Sequence, residues 1–322
     1  MQLTNAVPFR KDFNGMKSQL SERIPLGLTD LRISPIGMGT NAWGFRNRAD
    51  AEKRPTLEGA LEAGVNFIDT AEVYNFGGSE RTIGQFMGKS RPEVVLATKF
   101  FPYPWRLIKS SLTAALRSSL KRLNVPQVDL YILHFPVPPV PLETWIEALA
   151  DVQQAGLTHA VGISNCSTAQ MRRAHAVLAR RGIPLASNQV EYSLLHREPE
   201  RSGLLDACRE LGVTMVAYRP LGFGLLTGKY EPEDLPAVLH GRLIKKTDLL
   251  RVTPLLDLLH EIAVKHGKTP SQVALNWIVC KGLVPIPGAK NPRQAADNAG
   301  GVGWRLDANE VEALDQASEV LS

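Results

Sequence analysis

Short apolar runs alternate with longer amphipathic stretches along most of the chain, from about Ile24 onward. The short runs are apolar enough to be buried on both faces, which is typical of strands in a parallel sheet. Eight of them predict strands, at residues 34–39, 65–68, 94–98, 128–133, 160–163, 185–190, 214–217 and 284–286. The stretches between them predict helices, at residues 51–63, 107–123, 142–154, 169–180, 204–211, 255–266 and 271–280.

Capping signals mark the start of three predicted helices. A capping side chain is followed three residues later by glutamine in Ser167-x-x-Gln170, Thr269-x-x-Gln272 and Asn291-x-x-Gln294. Eight strands, each separated from the next by a crossover segment, describe an α/β fold of the (β/α)8 TIM barrel type better than a two-domain doubly wound sheet. We therefore expect one barrel domain over residues 22–322.

Further segments lie outside the eight repeats. Residues 24–34 predict a β-hairpin ahead of the first barrel strand, and extra helices follow towards the C-terminus, the last at residues 308–320. Residues 1–21 lack the apolar core of a secretory signal and are expected to form a flexible extension. The glycine-rich connection over residues 219–250 is unusually long, which makes it a candidate lid.

Composition narrows the classes of function. Hydrophobic residues make up 44% and charged residues 21% of the 322 residues, as in an ordinary soluble protein. No stretch is apolar enough to cross a membrane. The net charge of +5 lies in short basic doublets without accompanying aromatic residues, which argues against a nucleic-acid partner. We expect a cytoplasmic monomer, or one in the plastid stroma if the organism is a plant.

Cysteine, histidine and glycine spacing exclude several kinds of site. The three cysteines, Cys166, Cys208 and Cys280, form no C-x-x-C motif, so neither a disulfide framework nor a zinc site is indicated, and a reducing compartment is expected. The seven histidines contain no H-E-x-x-H motif, so no metal is expected. The glycines at 222, 224 and 228 have the wrong spacing for a Rossmann fingerprint and precede no amphipathic helix.

Ionisable side chains follow three successive predicted strands at their carboxyl ends, where barrels of this kind carry their active sites. Asp69 and Tyr74 follow the second strand, Lys99 the third and His134 the fourth. Any one of them alone is more often structural. A tyrosine that donates a proton near neutral pH needs a cation beside it, such as Lys99, and a desolvated lysine needs a carboxylate, such as Asp69. Because His134 can orient a carbonyl oxygen, the set suits carbonyl reduction, with the hydride supplied by a cofactor.

Motifs at these and other strand ends resemble those of the aldo-keto reductase superfamily, in the same order and at compatible spacings. They are residues 69–74 (DTAEVY), 97–99 (ATK), 133–134 (LH), 162–165 (GISN), 188–189 (NQ), 217–221 (AYRPL) and 286–291 (IPGAKN). The resemblance covers residues 24–320 and is nearest to the plastid-type and cyanobacterial branch. It implies an NAD(P)H-dependent reductase of small-molecule aldehydes or ketones with Tyr74 as the general acid. Lys99 and Asp69 would lower the pKa of Tyr74, and His134 would position the carbonyl.

The same resemblance implies a cofactor that lies across the mouth of the barrel. Ser164, Asn165 and Gln189 would bind the nicotinamide carboxamide, and Tyr218 would stack on the ring. The stretch from Leu221 to Gly228 would follow the pyrophosphate, where glycine allows close approach. Gly288 and Lys290 would meet the 2′-phosphate, with Asp297 and Asn298 near the adenine. The full set of expected cofactor-binding residues is Gly39, Thr40, Ser164, Asn165, Gln189, Tyr218, Arg219, Pro220, Leu221, Gly222, Gly228, Gly288, Lys290, Gln294, Asp297 and Asn298.

Three positions depart from the family pattern. Arg219 stands where serine is common, so its guanidinium has two candidate partners, a cofactor phosphate or a substrate carboxylate. Cys166 stands where an aromatic residue is frequent, which would widen the nearby wall. Gln294 stands where many members have arginine, which leaves fewer charges for the 2′-phosphate. NADPH is therefore favoured over NADH, and NADH stays open.

The substrate is the least determined part of the prediction. Trp43 and Phe101 follow the first and third strands and are candidates for the walls of a substrate pocket, with packing at the rim as the alternative for each. The short tail after the last helix favours an open site for generic aldehydes. A second function stays open, because some barrels of this family are cofactor-binding regulatory subunits of membrane channels with little turnover.

Overall fold

The computed structural model describes residues 22–44, 50–87, 94–230, 238–239, 242–243, 246–319 and 321. Within these ranges eight parallel strands pair side by side in a nearly closed barrel, with helices between successive strands, which confirms the predicted (β/α)8 architecture. The expected extension at residues 1–21 lies outside the described residues.

The strands form where the apolar runs predict them. A hairpin of β1 (Ile24–Pro25) and β2 (Arg32–Ile33) precedes the barrel, as expected. The barrel strands are β3 (Gly37–Gly39), β4 (Phe67–Asp69), β5 (Val95–Phe100), β6 (Val128–Leu133), β7 (Thr158–Ser164), β8 (Leu185–Glu191), β9 (Thr214–Tyr218) and β12 (Val284–Pro285). A second small hairpin joins β10 (Val238–Leu239) to β11 (Arg242–Leu243).

The helices of the described ranges surround the barrel or follow it. They are α1 (Asp50–Glu62), α2 (Gly78–Met87), α3 (Lys109–Leu123), α4 (Leu142–Gln154), α5 (Thr168–Ala179), α6 (Glu198–Arg201), α7 (Leu204–Leu211), α8 (Lys246–His266), α9 (Pro270–Cys280), α10 (Pro292–Ala299) and α11 (Ala308–Glu319). None of them is both long and apolar enough to span a membrane.

Three helices differ from the prediction. Helix α6, a single turn at Glu198–Arg201, was not among the predicted helices. Helix α2 was not expected; the face that it buries is mostly polar or small, with Ile83 and Met87 as its apolar side chains. Helix α8 begins at Lys246, ahead of the predicted start at residue 255, and it contains Pro254. The candidate lid therefore ends earlier than residue 250. Its start contains a 3-10 helix at Gly222–Thr227, whereas residues 231–237, 240–241 and 244–245 lie outside the described residues.

Two of the three predicted capping boxes are present. At the starts of α5 and α9, the capping hydroxyl and the third-position glutamine exchange both expected hydrogen bonds. At α10 the side chain of Asn291 accepts from the backbone N–H of Gln294, but the Gln294 side chain turns to Lys290, whose N–H donates to its Oε1 at 2.8 Å. Asn291 is therefore a cap without the reciprocal bond.

The N-terminal hairpin closes the amino-terminal end of the barrel. Leu26 and Ile33 are fully buried in the same apolar cluster as the inward-facing Phe67, Leu130 and Ala186 of the barrel strands. The turn passes so close to Ala186 that a Cβ at position 27, where glycine has φ +59°, would lie 2.5 Å from its carbonyl oxygen. Because this end is filled, the opposite end of the barrel is the one that opens to ligands.

The first and last barrel strands meet at the open end. Gly39 and Gly288 form an isolated parallel bridge, and the N–H of Gly39 donates to the carbonyl of Pro287 at 3.0 Å. A Cβ at position 39 would lie 3.0 Å from the carbonyl oxygen of Ile286, so the absence of a side chain permits this approach. The barrel thus closes beside residues that the family resemblance assigns to the cofactor.

Candidate active site

Three strand ends bring the four ionisable side chains to the open end of the barrel. Asp69 is the last residue of β4, Lys99 is the second-last residue of β5, and His134 directly follows β6. Tyr74 lies in the loop between β4 and α2, where a turn is closed by its N–H donating to the carbonyl of Ala71. Neighbouring parallel strands end at the same edge, so sequence order alone makes these positions adjacent.

The Lys99 ammonium stands at the centre of the site. Its Nζ donates to Asp69 Oδ2 at 2.6 Å, to the carbonyl of Thr70 at 2.8 Å and to the Tyr74 hydroxyl at 3.1 Å. The side chain of Lys99 is fully buried and that of Asp69 is almost so. A buried ammonium is stable only with such a partner, so the three contacts fix both the charge and its direction.

Asp69 is itself held by two other strands. Its Oδ1 accepts a hydrogen bond from Gln189 Nε2 on β8 at 2.8 Å. Its backbone carbonyl accepts from both the N–H and the hydroxyl of Thr40, which follows β3. Thr40 and Gln189 were expected to contact the cofactor. In the structure Gln189 orients the carboxylate of Asp69 and Thr40 holds its backbone carbonyl. Sequence reasoning missed both contacts because they join different strands of the barrel.

The electrostatics of the tyrosine differ in part from the expectation. Burial raises the pKa of Tyr74, the charge of Lys99 lowers it, and the carboxylate of Asp69 raises it again, with a raised pKa as the result. The expectation that Lys99 and Asp69 both lower this pKa is therefore wrong for Asp69, since a negative charge disfavours the phenolate. Asp69 instead influences Tyr74 indirectly, through the charge of Lys99. Burial alone would lower the pKa of Lys99, but Asp69 and Tyr74 outweigh it and raise that pKa, which keeps the ammonium charged.

His134 is a neutral imidazole in this setting. Burial, assisted by the nearby charge of Lys99, lowers the pKa of His134 to about 3. Its Nδ1 is buried and has no hydrogen-bond partner among the described residues. Its ring stands edge-on to Tyr74 at a centroid distance of 5.9 Å. His134 can therefore offer a hydrogen bond as a neutral group but cannot act as a proton reservoir near pH 7.

An ion pair that the sequence did not point out joins the two loops beside the site. Glu72 accepts from the backbone N–H of Phe101 at 2.7 Å, and both oxygens of Glu72 accept from the guanidinium of Arg106. Arg106 also donates to the carbonyl of Phe101 at 2.6 Å. Glu72 lies two residues before Tyr74, within the same strand-end motif. The position of Glu72 in that motif could have identified it as a candidate site residue. Its pairing with Arg106 could not be predicted from sequence spacing.

The residues expected around the nicotinamide form one hydrogen-bonded group at the mouth. The hydroxyl of Tyr218 donates to Asn165 Oδ1 at 2.9 Å, and Asn165 Nδ2 donates to the carbonyl of His134 at 3.0 Å. The hydroxyl of Ser164 donates to the carbonyl of Gln189 at 2.7 Å. Asn165 adopts φ +56°, a conformation that asparagine tolerates better than most residues. These contacts link strands β6 to β9 at the edge where the four ionisable side chains end.

Three glycines in the segment after β9 adopt a left-handed backbone conformation. Gly222, Gly224 and Gly228 have φ of +52°, +92° and +69°, a region that other L-residues rarely adopt. Pro220 is buried and Leu221 partly buried at the start of this segment. The side chain of Arg219 is paired with Glu191 Oε2 at 3.0 Å and lies over the ring of Phe223 at 4.4 Å. Neither partner suggested for Arg219, a cofactor phosphate or a substrate carboxylate, is needed to hold it in place.

The residues expected around the adenosine lie just before α10 and along it. Lys290 and Gln294 are exposed, as is Arg293 between them. Asn298 Nδ2 donates to the carbonyl of Gly288 at 3.2 Å. Asp297 accepts from the Thr269 hydroxyl, and burial raises its pKa. Arg293 was not among the predicted residues, although it supplies a second exposed cation beside Lys290.

The two residues predicted to line a substrate pocket, Trp43 and Phe101, differ in their exposure. Trp43 is fully buried, and its indole N–H donates to the carbonyl of Ala289 at 2.9 Å, which agrees with the packing alternative. Phe101 is partly exposed and packs edge-on against His134 at a centroid distance of 5.8 Å. Cys166 is buried, and burial raises the pKa of its thiol to about 12. Within the described ranges no group of three or more His, Cys, Asp or Glu side chains could hold a metal ion.

Fold and site together define a barrel oxidoreductase that acts on carbonyl groups with a reduced nicotinamide cofactor. The chain belongs to the aldo-keto reductase family, as its motifs predicted, with NADPH as the cofactor. The model of the Aldo/keto reductase family matches residues 35–319.

Known proteins of the same family cover most of the chain. Pyridoxal reductase, chloroplastic, from Arabidopsis thaliana is 41% identical over 309 residues, which cover 90% of this chain and 84% of the relative. An NADP(+) aldo-keto reductase from Schizosaccharomyces pombe is 33% identical over 300 residues, covering 88% and 86%. The crystal structure of an aldo-keto reductase from Klebsiella pneumoniae in complex with NADPH matches with a TM-score of 0.72 and 28% identity, over 88% of this chain and 91% of that one.

Proposed function

We propose that this protein reduces aldehydes and ketones to alcohols, with Tyr74 as the proton donor. The observation that supports it most directly is the hydrogen bond from the buried ammonium of Lys99 to the Tyr74 hydroxyl, at 3.1 Å. A phenol is a weak acid near neutral pH, and a fixed positive charge beside its oxygen stabilises the phenolate that remains when the proton leaves. No such arrangement is needed for a structural tyrosine.

Each polar residue then has a defined task at the carbonyl. Tyr74 donates a proton to the substrate oxygen, while Lys99 holds negative charge on the tyrosine oxygen and Asp69 keeps Lys99 charged. His134, which is neutral, hydrogen-bonds the same substrate oxygen and fixes its position. When it is bound, the nicotinamide supplies the hydride that no side chain can provide.

The chain has the features needed to hold NADPH. Gly224 and Gly228 adopt positive φ, and a Cβ at either position would meet no atom closer than 3.6 Å, so the space beside their backbone suits a pyrophosphate. The same space at Gly222 is taken by the side chain of Leu195. The amide of Asn165 and the hydroxyl of Ser164 offer both donors and acceptors, as a carboxamide requires. At α10, exposed Lys290 and Arg293 beside a helix N-terminus suit the 2′-phosphate. Arg293 compensates for the cation that Gln294 does not supply.

The substrate class follows from the site and the relatives only in outline. A small-molecule aldehyde fits the open mouth, and the relative from Arabidopsis thaliana is named for the reduction of pyridoxal, an aromatic aldehyde. The same relative is chloroplastic, so the plastid stroma joins the cytoplasm as a candidate compartment. In both, thiols such as buried Cys166 and Cys208 stay reduced. A monomer without nucleic-acid or membrane partners is part of this proposal.

The decisive experiment compares two tyrosine variants. Tyr74→Phe should lower kcat for aldehyde reduction by at least about 100-fold and leave the Kd for NADPH, from fluorescence titration, unchanged. Tyr131→Phe is the matched control: it removes a buried hydroxyl that has no partner among the described residues, so kcat should stay near that of the wild type. NADPH binding without turnover of any aldehyde by the wild type would favour the cofactor-binding regulatory subunit instead.

A further inference from the structure

The three residues between β12 and α10 that run up to the expected 2′-phosphate site have their carbonyls held by side chains from elsewhere in the fold. The carbonyl of Gly288 accepts from Asn298 Nδ2 at 3.2 Å, that of Ala289 from the indole N–H of Trp43 at 2.9 Å and that of Lys290 from Lys53 Nζ at 2.9 Å. The donors lie in α10, in the loop after β3 and in α1. These bonds fix the direction of each carbonyl, so the shape of the segment is set before a ligand arrives.

Lys53 differs from the other two donors because an ammonium carries a formal charge. The residue is only 3% exposed, and it is not among the residues that the sequence motifs assign to the cofactor. Lys53 and Lys290 are 237 residues apart in the chain, so motif spacing does not indicate their contact. A buried ammonium has lost most of its hydration, and its interaction with a nearby anion is screened less than that of an exposed lysine.

The contact is built into the packing of α1 against the start of α10. A Cβ at Gly59 of α1 would lie 3.8 Å from the Cβ of Pro292, the first residue of α10. Lys290 is also held at its N–H, which donates to Gln294 Oε1 at 2.8 Å. Both backbone polar groups of Lys290 are therefore bonded, and its exposed side chain extends from a fixed backbone.

We propose that Lys53 is a further determinant of the preference for NADPH over NADH. It holds the backbone from which Lys290 meets the 2′-phosphate, and it places a buried positive charge behind the exposed Lys290 and Arg293. The 2′-phosphate is close to doubly charged at neutral pH, whereas NADH carries a neutral hydroxyl at this position, so the charge of Lys53 acts on NADPH alone. This role rests on the proposed placement of the 2′-phosphate at the start of α10.

The test compares variants of Lys53 that differ in charge. Lys53→Met should raise the Kd for NADPH about fivefold and leave the Kd for NADH unchanged in fluorescence titrations. Lys53→Arg keeps the charge, and its Kd for NADPH should stay within about twofold of the wild type. Lys121→Met, at an exposed lysine at the end of α3, is the matched control for loss of one positive charge and should change neither Kd. Circular dichroism checks folding, and Lys53→Gln takes the place of Lys53→Met if the apolar side chain prevents it.

Binding of 2′,5′-ADP, measured by calorimetry, tests the adenosine end without the nicotinamide and without turnover. Its Kd should also rise about fivefold in Lys53→Met, while the Kd for 5′-AMP, which lacks the 2′-phosphate, should stay constant. An unchanged Kd for NADPH in Lys53→Met, or equal rises for NADPH and NADH as expected from a merely structural role, would overturn the proposal.

Lys290→Ala separates this role from the placement on which it rests. An unchanged Kd for 2′,5′-ADP in that variant would refute the placement of the 2′-phosphate and the role of Lys53 with it. A raised Kd in Lys290→Ala together with an unchanged one in Lys53→Met would refute the role of Lys53 alone. Absence of aldehyde reduction would refute the reductase function, and the binding measurements would still decide the role of Lys53.

Discussion

Gln189 reaches across the barrel to Asp69: its side-chain Nε2 donates to Asp69 Oδ1 at 2.8 Å, from strand β8 to strand β4. Both side chains are almost completely buried. The contact closes a chain of hydrogen bonds from the nicotinamide side of the mouth, through the carboxylate, to Lys99 and Tyr74. A residue that the motif assigns to the cofactor therefore also fixes the group that keeps the lysine charged.

Breaking the buried pair should cost much more stability than breaking an exposed one. Asp69→Asn leaves the Lys99 ammonium buried without its counter-charge, so the free energy of unfolding should fall by about 3 kcal/mol. Urea unfolding followed by circular dichroism measures this difference. Glu210→Gln, which removes an exposed partner of Arg172, should leave the midpoint of unfolding unchanged. Equal midpoints for the two variants would contradict the role given to Asp69.

The kcat/KM for aldehyde reduction should show no titration near neutral pH. The pKa of His134 is lowered to about 3, so the imidazole is already neutral at pH 6 and stays neutral above it. The pKa of Tyr74 is raised, so the donor keeps its proton in the same range and loses it only at alkaline pH. We expect kcat/KM for aldehyde reduction to be flat from about pH 6 to 8 and to fall at higher pH. A titration near pH 6.5 would mean that His134 ionises during turnover.

The ion pair between Glu72 and Arg106 should matter for rate as well as for stability. Glu72→Gln weakens the link between the loop that carries Tyr74 and the loop that carries Phe101. Because the proton donor is then less well held, kcat should fall about tenfold, with a loss of about 1 kcal/mol in the free energy of unfolding. Steady-state kinetics and urea unfolding measure the two effects. A loss of stability with unchanged kcat would assign the pair a purely structural role.

Discrimination between NADPH and NADH should depend on the start of α10. Lys290→Ala removes a cation proposed to meet the 2′-phosphate, so the Kd for NADPH should rise about tenfold while that for NADH stays constant. Arg293→Ala should act in the same direction. Lys121→Ala, at an exposed lysine at the end of α3, serves as the control and should change neither Kd. Fluorescence titrations at fixed ionic strength make the comparison.

The barrel and the positions of the four ionisable side chains could be predicted from the sequence, because they follow from local patterns. The bounds of β6, α4 and α7 agree with the apolar runs residue for residue. Helix α2 was not predicted because most of the face that it buries is polar or small, including Ser79, Glu80 and Thr82, and only Ile83 and Met87 are apolar. The contact between Gln189 and Asp69 could not be predicted for another reason. It joins residues far apart in the chain, and sequence spacing does not indicate such contacts.

Which group Asp69 bonds directly was also not predictable from the sequence. A motif names groups but not the distances that decide whether a carboxylate acts directly or through its partner. Only the geometry shows that Asp69 bonds the lysine while opposing the phenolate at longer range. The buried state of Trp43 likewise depends on packing against the segment around Ala289, which no strand-end pattern encodes.

The three acceptors around Lys99 have a consequence for the direction of the reaction. An ammonium has three N–H bonds, and Asp69, Thr70 and Tyr74 accept one each, so all three donors of Lys99 are already hydrogen-bonded within the protein. The bond that reaches the tyrosine oxygen is in place whether that oxygen carries a proton or a charge. By microscopic reversibility, the same fixed tripod serves alcohol oxidation as well as carbonyl reduction. The direction of the net reaction is then set by the concentrations of carbonyl, alcohol and the two forms of the cofactor, and not by any rearrangement of the protein.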